Sequence, residues 1–399
     1  MQEEFSPSDY VIRVVEDPSE IDGPAWDALI DGLPGGTPFL RHAYLAALHR
    51  SGSATAHTGW LPQYLTLWRY GELQGACPAY LKSHSYGEYV FDWAWAEAHE
   101  RHGLPYYPKL TAAVPFTPVP GPRLLARNTD TRRILLRALR LKAEQLGLSS
   151  VHVLFLSEDD VVAARSEGWL LRSSVQFHWH NRQAQPYGSF EEFLADLHRD
   201  KRKKILQERR RVADAGVAFE VRAGREIAEA DWDFFYRCYL ATYRAHHSTP
   251  YLTRAFFSEV AATLPEHWLM FIARRDGRPI ATSLLALNPS QGLAYGRYWG
   301  SLEPLACLHF EACYYQPLAW CIARGYRRFE GGAQGEHKMA RGLRPVTTQS
   351  AHWLSQPAFA EAVARFLDRE ALGLAAYMDE LRERDPFRAI PHQGTRLTP

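Results

Sequence analysis

Apolar and polar positions alternate in the same way at two distant places along the chain. Tyr64–Arg69, a turn at Tyr70–Glu72 and Leu73–Tyr80 read as strand, tight turn, strand. Leu269–Arg274, a turn at Arg275–Arg278 and Pro279–Ala286 repeat that reading. Later in each half a helical period stops at a glycine and gives way to an apolar strand. The first is Asp130–Leu146, Gly147 and Val151–Phe155; the second is Cys307–Arg324, Gly325 and Arg327–Glu330. Glycine just past a helix supplies the left-handed backbone that ends it. The order hairpin, helix, glycine, strand therefore occurs twice and predicts a duplicated architecture. The first copy is longer, and its surplus fits the segment from Tyr86 to Pro122.

A polar linker with proline and glycine, Asn181–Ser189, joins the halves. It suggests domains at 1–182 and 189–385, with a tail at 386–399. Ser189 with Glu192 forms a capping box for one helix over Phe190–Ala213, stopped at Gly216. An aromatic-rich helix is expected over Ala228–Arg244 and another over Pro357–Arg384.

With 46% apolar and 23% charged residues, the chain has the balance of a soluble globular protein, which excludes disordered and fibrous classes. No run of apolar residues is long enough to span a bilayer, and the acidic, polar N-terminus is unlike a signal peptide. Five cysteines without a CxxC pair argue against a disulfide framework or a zinc site. These features imply a cytoplasmic monomer or small homo-oligomer, without metal or membrane span. Net charge is only +1, yet three of the seven lysines cluster at Lys201, Lys203 and Lys204.

That cluster lies in His198–Arg211, where eight Lys and Arg face two acids. Lys201, Arg202, Lys203, Lys204, Arg209 and Arg210 are candidates to hold phosphates, as of RNA or a nucleotide-linked substrate. A second region is aromatic and proline-rich. Tyr86–Trp95, Leu104–Lys109 and Val114–Pro122 suggest one wall of a pocket, with Asp92, Trp93, Tyr106, Tyr107 and Lys109 as its chemistry. Arg297 and Tyr298 join them as pocket candidates. The third region, Phe329–Gly342, follows a strand and interleaves glycines with Gln334, Glu336, His337, Lys338 and Arg341. Chemistry is placed on such loops in α/β proteins. The loop is neither GxGxxG nor a P-loop.

These residues carry a resemblance. The basic stretch with Arg-Arg-Val-Ala-Asp-Ala-Gly-Val resembles the helix-to-strand segment of Fem-type peptidyltransferases. Gly335–Gly342 is similar to their later Phe-Lys loop, with His337 where phenylalanine is usual. More closely, Tyr89–Trp95, Leu104–Lys109, Thr117–Arg123 and Phe329–Lys338 resemble a bacterial family of FemAB-like N-acyltransferases, from about residue 10 to 385. The resemblance implies an α/β (α+β) fold of two tandem GNAT-like domains, each a mixed, mostly antiparallel sheet flanked by helices.

It further implies amide formation on an amine acceptor, with an aminoacyl group from aminoacyl-tRNA or, alternatively, an acyl group from acyl-CoA. A tandem-GNAT protein that binds without catalysis is a third reading. The usual GNAT pyrophosphate loop is missing from both halves, which leaves the basic helix as the expected binder of tRNA. Lys338 matches the Fem-type lysine and is expected to face the developing oxyanion. Glu336, His337 and Asp92 are expected to compete for the amine proton. No cofactor is required.

Overall fold

The computed structural model describes residues 10–333 and 335–388. In the first half β1 (Val11–Val15) precedes helices α1 (Gly23–Asp31) and α2 (His42–Arg50). The expected hairpin follows, each arm broken once: β2 (Trp60–Pro62) and β3 (Tyr64–Arg69) against β4 (Glu72–Cys77) and β5 (Ala79–Lys82). Pro78 lacks the N–H a continuous ladder needs, so the break on that arm is local chemistry. Then come α3 (Trp93–Arg101), β6 (Lys109–Ala112), β7 (Leu125–Ala126), α4 (Thr129–Gln145), β8 (Ser150–Val153), α5 (Glu158–Ser166) and β9 (Leu170–His180).

The second half opens with α6 (Phe190–Asp196) and α7 (Arg199–Asp214), where the periodicity predicted one helix. The break has a tertiary cause. Leu197 turns extended to bridge Phe387, and the His198 N–H donates to the Pro386 carbonyl. Thereafter the order of the first half returns: β10 (Val217–Ala223), α8 (Glu229–Ala245), α9 (Arg254–Thr263) and the hairpin β11 (Trp268–Arg275) and β12 (Arg278–Asn288). Next is β13 (Leu293–Ser301), then one helix built from α10 (Leu308–Phe310), a π turn at Glu311–Tyr315 and α11 (Gln316–Ala323). β14 (Arg328–Ala333), a 3-10 turn at Glu336–Arg341, β15 (Arg344–Leu354) and the long α12 (Pro357–Glu383) complete it.

An 11-stranded sheet runs in the order β10-β11-β12-β13-β14-β9-β15-β8-β6-β5-β2. About the antiparallel pair β9 and β15 the order is nearly symmetric, with five strands beyond β9 and four beyond β15. Each half hands its last strand to the other: β9 pairs with β14, and β15 pairs with β8. A cut at residues 182–189 thus divides the chain but not the sheet. One large core packs α1, α2, α8 and α9 around Trp26, Phe39, Phe235 and Tyr295, joining both halves. A second fills the other face of the later strands, around Trp179, Phe193, Leu318 and Phe329. Among the described residues no helix is long and apolar enough to cross a membrane.

Candidate active site

The halves share a strand plan but differ at one point. In the first half Leu110–Ala112 pair in parallel with Val151–Val153, and both strands end there. In the second, β13 and β14 pair through three residues as well, Leu293–Tyr295 and Arg328–Glu330, but both strands run on and part at Gly296 and Gly331. A bulge at Leu284/Leu285 pushes Arg297 out of register beside that point, and bulges commonly re-aim side chains next to functional sites. The sequence supports the opening with glycines. A Cβ on Gly331 would come 2.6 Å from the Leu343 side chain, and one on Gly300 would come 2.0 Å from the Cys238 carbonyl of α8.

Cavities flank the opening on both sides. One, of about 420 Å³, lies toward α8 between Tyr89 and Pro118 of the first half and Tyr239 and Tyr243 of the second. The other, of about 120 Å³, lies toward the helix at 308–323 and is lined by His309, Cys313 and Tyr314. Gly296–Trp299 and Gly331 border both. Two reactants entering from opposite faces would meet at this cleft.

Lys338 is buried beside the smaller cavity. Its stem passes 3.4 Å from where a Gly331 Cβ would stand, and its Nζ donates to the Gly332 carbonyl at 2.9 Å. Burial brings its ammonium down to about 8. His337 is exposed, with Nε2 3.2 Å from the Tyr314 hydroxyl. Partial desolvation of one side of the ring, with the Arg341 and Lys338 charges nearby, lowers its pKa and favours neutral imidazole. Arg341 braces the loop from beneath. It donates to the His337 carbonyl at 2.6 Å, reaches Glu208 of α7 at 3.0 Å, and lies over the Phe310 ring. Glu336 turns outward to accept from Tyr377 at 2.8 Å and Arg384 at 3.4 Å, both near the end of α12. Gln334 lies outside the described residues.

Asp92 stands in a different place. It joins Lys109, Glu88 and Tyr106 in a buried first-half network, where Lys109 also donates to Ser85 and Glu88 at 2.8 Å each. Burial raises the cost of the Asp92 charge, yet Lys109 and His152 hold its carboxyl well below the usual range. Tyr107 donates or accepts at Ser85 (2.8 Å), and Trp93 lies exposed against Tyr86 at the start of α3. From the aromatic segment, Tyr89 and Pro118 reach the larger cavity, while Asp92, Trp93, Tyr106, Tyr107 and Lys109 do not line either cavity at the cleft. Arg297 and Tyr298 line both.

The basic run divides by helical face. Ile205, Glu208 and Val212 are buried, whereas Lys203, Lys204, Arg210 and Arg211 are exposed. Lys201 and Arg202 are half-buried, with Lys201 3.0 Å from Asp200. Arg209 instead ties α7 to Glu311 at 3.2 Å and covers Phe190.

Tyr239, Tyr243 and His309 were not distinguishable by spacing, because α8 is aromatic throughout and His309 precedes the loop by a whole helix. Glu330 likewise carries no spacing signal in the sequence. It occupies the last paired position before the strands part, 2.9 Å from Arg328 and 3.8 Å from His178, and burial pushes its carboxyl up to about 7.

A model of the FemAB-like family, described as peptidoglycan biosynthesis/recognition, matches residues 17–389. The fold is similar to that of FemX, at 12% identity and TM-score 0.53, over 86% of this chain and 98% of that one. It is also similar to L-PGS from Bacillus licheniformis, at 11% identity and TM-score 0.53, over 89% of this chain and 99% of that one. No curated protein matches the sequence. At these identities the structural likeness is one of fold, and the mixed sheet flanked by helices, with its strand plan repeated in the two halves, agrees with the α/β (α+β) architecture expected from the sequence.

Proposed function

The chain belongs to the FemAB-like family, and from that premise we propose that it is an N-acyltransferase that moves an aminoacyl group from aminoacyl-tRNA to an amine acceptor. The observation that carries this reading is the opening between β13 and β14, bordered by a cavity on each face and flanked by buried Lys338. A two-substrate transfer needs the reactants desolvated and aligned before a bond forms. The donor carbonyl enters from the side of Lys338, and the acceptor amine from the aromatic cavity beneath α8. As the amine attacks, the carbonyl oxygen becomes an oxyanion, and an ammonium aimed at it stabilises the transition state more than the ground state.

Of the groups expected to take the amine proton, His337 is the one beside a residue lining the smaller cavity, Tyr314. Its neutral ring can accept that proton and return it to the tRNA ribose oxygen as the oxyanion collapses and the ester bond breaks, whereas Asp92 and Glu336 are engaged elsewhere. The exposed cations of α7 would carry the tRNA. Purified protein should deacylate charged tRNA in an amine-dependent way while an acyl-CoA panel stays intact. Turnover of acyl-CoA instead would reassign the donor, and inertness toward both would leave a binding protein.

A further inference from the structure

Arg297 has an environment that transfer chemistry alone leaves unexplained. It occupies the bulge on β13 and borders both cavities at the cleft. Its guanidinium points toward the first half. Nη2 donates to the Phe116 carbonyl at 2.7 Å, and Cζ lies 5.3 Å from the Phe39 ring and 5.2 Å from the Tyr298 ring. Nε is buried without a hydrogen-bond partner, and no carboxylate lies within ion-pair distance of Arg297 among the described residues. Of the buried arginines, Arg341 has Glu208 and Arg132 has Asp160, while Arg123 spends its guanidinium on the Gly121 and Val119 carbonyls and lines neither cavity at the cleft. No aspartate or glutamate lines the larger cavity either. Buried Glu330 feels the Arg297 charge but is outside ion-pair distance and lines neither cavity. The half-buried guanidinium therefore borders the cleft incompletely compensated, which is costly, and a bound anion would offset that cost.

We propose that Arg297 is the anion-binding residue of the acceptor site, and that the acceptor is an amine that also bears a carboxylate. The planar fork of arginine matches a carboxylate in geometry as well as charge. Tyr89, Tyr239 and Tyr243 would enclose the stem between carboxylate and amine, leaving the amine directed at Gly331 and the cleft. This assignment of the acceptor class rests on the transfer reading, but the anion site does not, so binding is measured without any donor.

The probes are benzoate and benzamide, which share a flat apolar ring and differ in charge. They are titrated calorimetrically into the full chain. The wild type should bind benzoate about tenfold or more tighter than benzamide, a difference of about 1.4 kcal/mol. Arg297→Met should bind both alike with an unchanged melting temperature, and Arg297→Lys should recover part of the preference. Lys338→Met should keep the full preference, because its ammonium lies on the other face. Equal binding of the two probes by the wild type would overturn the proposal, as would a preference that survives in Arg297→Met or disappears in Lys338→Met. Should Arg297→Met unfold, the lysine variant still decides: a folded protein with undiminished preference would mean that the arginine fork is not the reader. Loss of transfer activity with the benzoate preference intact would instead count against the transferase reading alone.

Discussion

A buried lysine has two consequences of opposite sign at Lys338. Burial lowers its pKa from 10.5 to about 8, so below about pH 8 the ammonium is kept and the desolvation cost is present in full. Above it the folded protein releases a proton that the unfolded chain retains up to about 10.5. Stability from this group therefore rises with pH across that window, while any step needing the charge fails. Lys338→Met should lower turnover by roughly 10²–10³-fold, the range for losing one oxyanion donor. It should melt no lower than the wild type and lack the alkaline fall in kcat near pH 8. Lys338→Arg, with its spread charge, should rescue only in part. A melting temperature that drops with kcat unchanged would reduce Lys338 to a brace for the glycine loop.

On the scale of elements, α7 does two jobs on two faces. Its inner face holds the turn at Glu336–Arg341 through the Glu208–Arg341 pair, and Tyr315 donates to the same Glu208. Its outer face presents Lys203, Lys204, Arg210 and Arg211 to solvent. If that face carries tRNA, affinity should fall steeply with salt, because each neutralised phosphate releases condensed counter-ion. Changing Lys203, Lys204 and Arg210 to Ala should weaken tRNA binding and flatten the slope of log K against log salt by about two to three. The inner salt bridge is left alone, so the melting temperature should hold. A slope that stays the same would place the donor elsewhere on the molecule.

For the whole molecule the exchanged strands matter most. Where β8 of the first half meets β15 of the second, His152 and His352 share a hydrogen bond at 2.7 Å between their Nδ1 atoms, so one ring donates and the other accepts. Burial pushes His352 down to about 3 and His152 far below 6.5. In the unfolded chain both would titrate near 6.5. As pH falls from about 6.5 toward about 3, the unfolded state binds protons that the folded state refuses, and stability is lost. The wild type should therefore melt progressively lower through that window. His352→Gln keeps a polar side chain without the titration and should show a shallower dependence of Tm on pH. Identical slopes would mean that the seam between the halves is not what acid opens. Because each half completes the other's sheet, both forms should melt in one transition.

Much of this molecule was written locally. The two hairpins fold where β-rich runs flank Gly71 and Gly277, both at positive φ. The helices stop at Gly147 and Gly325 because each supplies the left-handed residue that a side chain resists. Repetition of those signals was enough to expose the duplication. The loop at Gly331–Gly342 was legible as a candidate site because glycine and charge alternate just past a strand. Strand exchange was not legible, since β9 and β15 satisfy the same backbone hydrogen bonds and hide the same apolar residues whichever half they join. The helix break at Leu197 was equally hidden, because its cause is a bridge to Phe387 far along the chain. Nor could spacing separate Asp92 from Lys338's surroundings or assign Tyr89 and Arg297 to one cavity. Those choices depend on which strands part and which stay paired, and only packing across the sheet decides that.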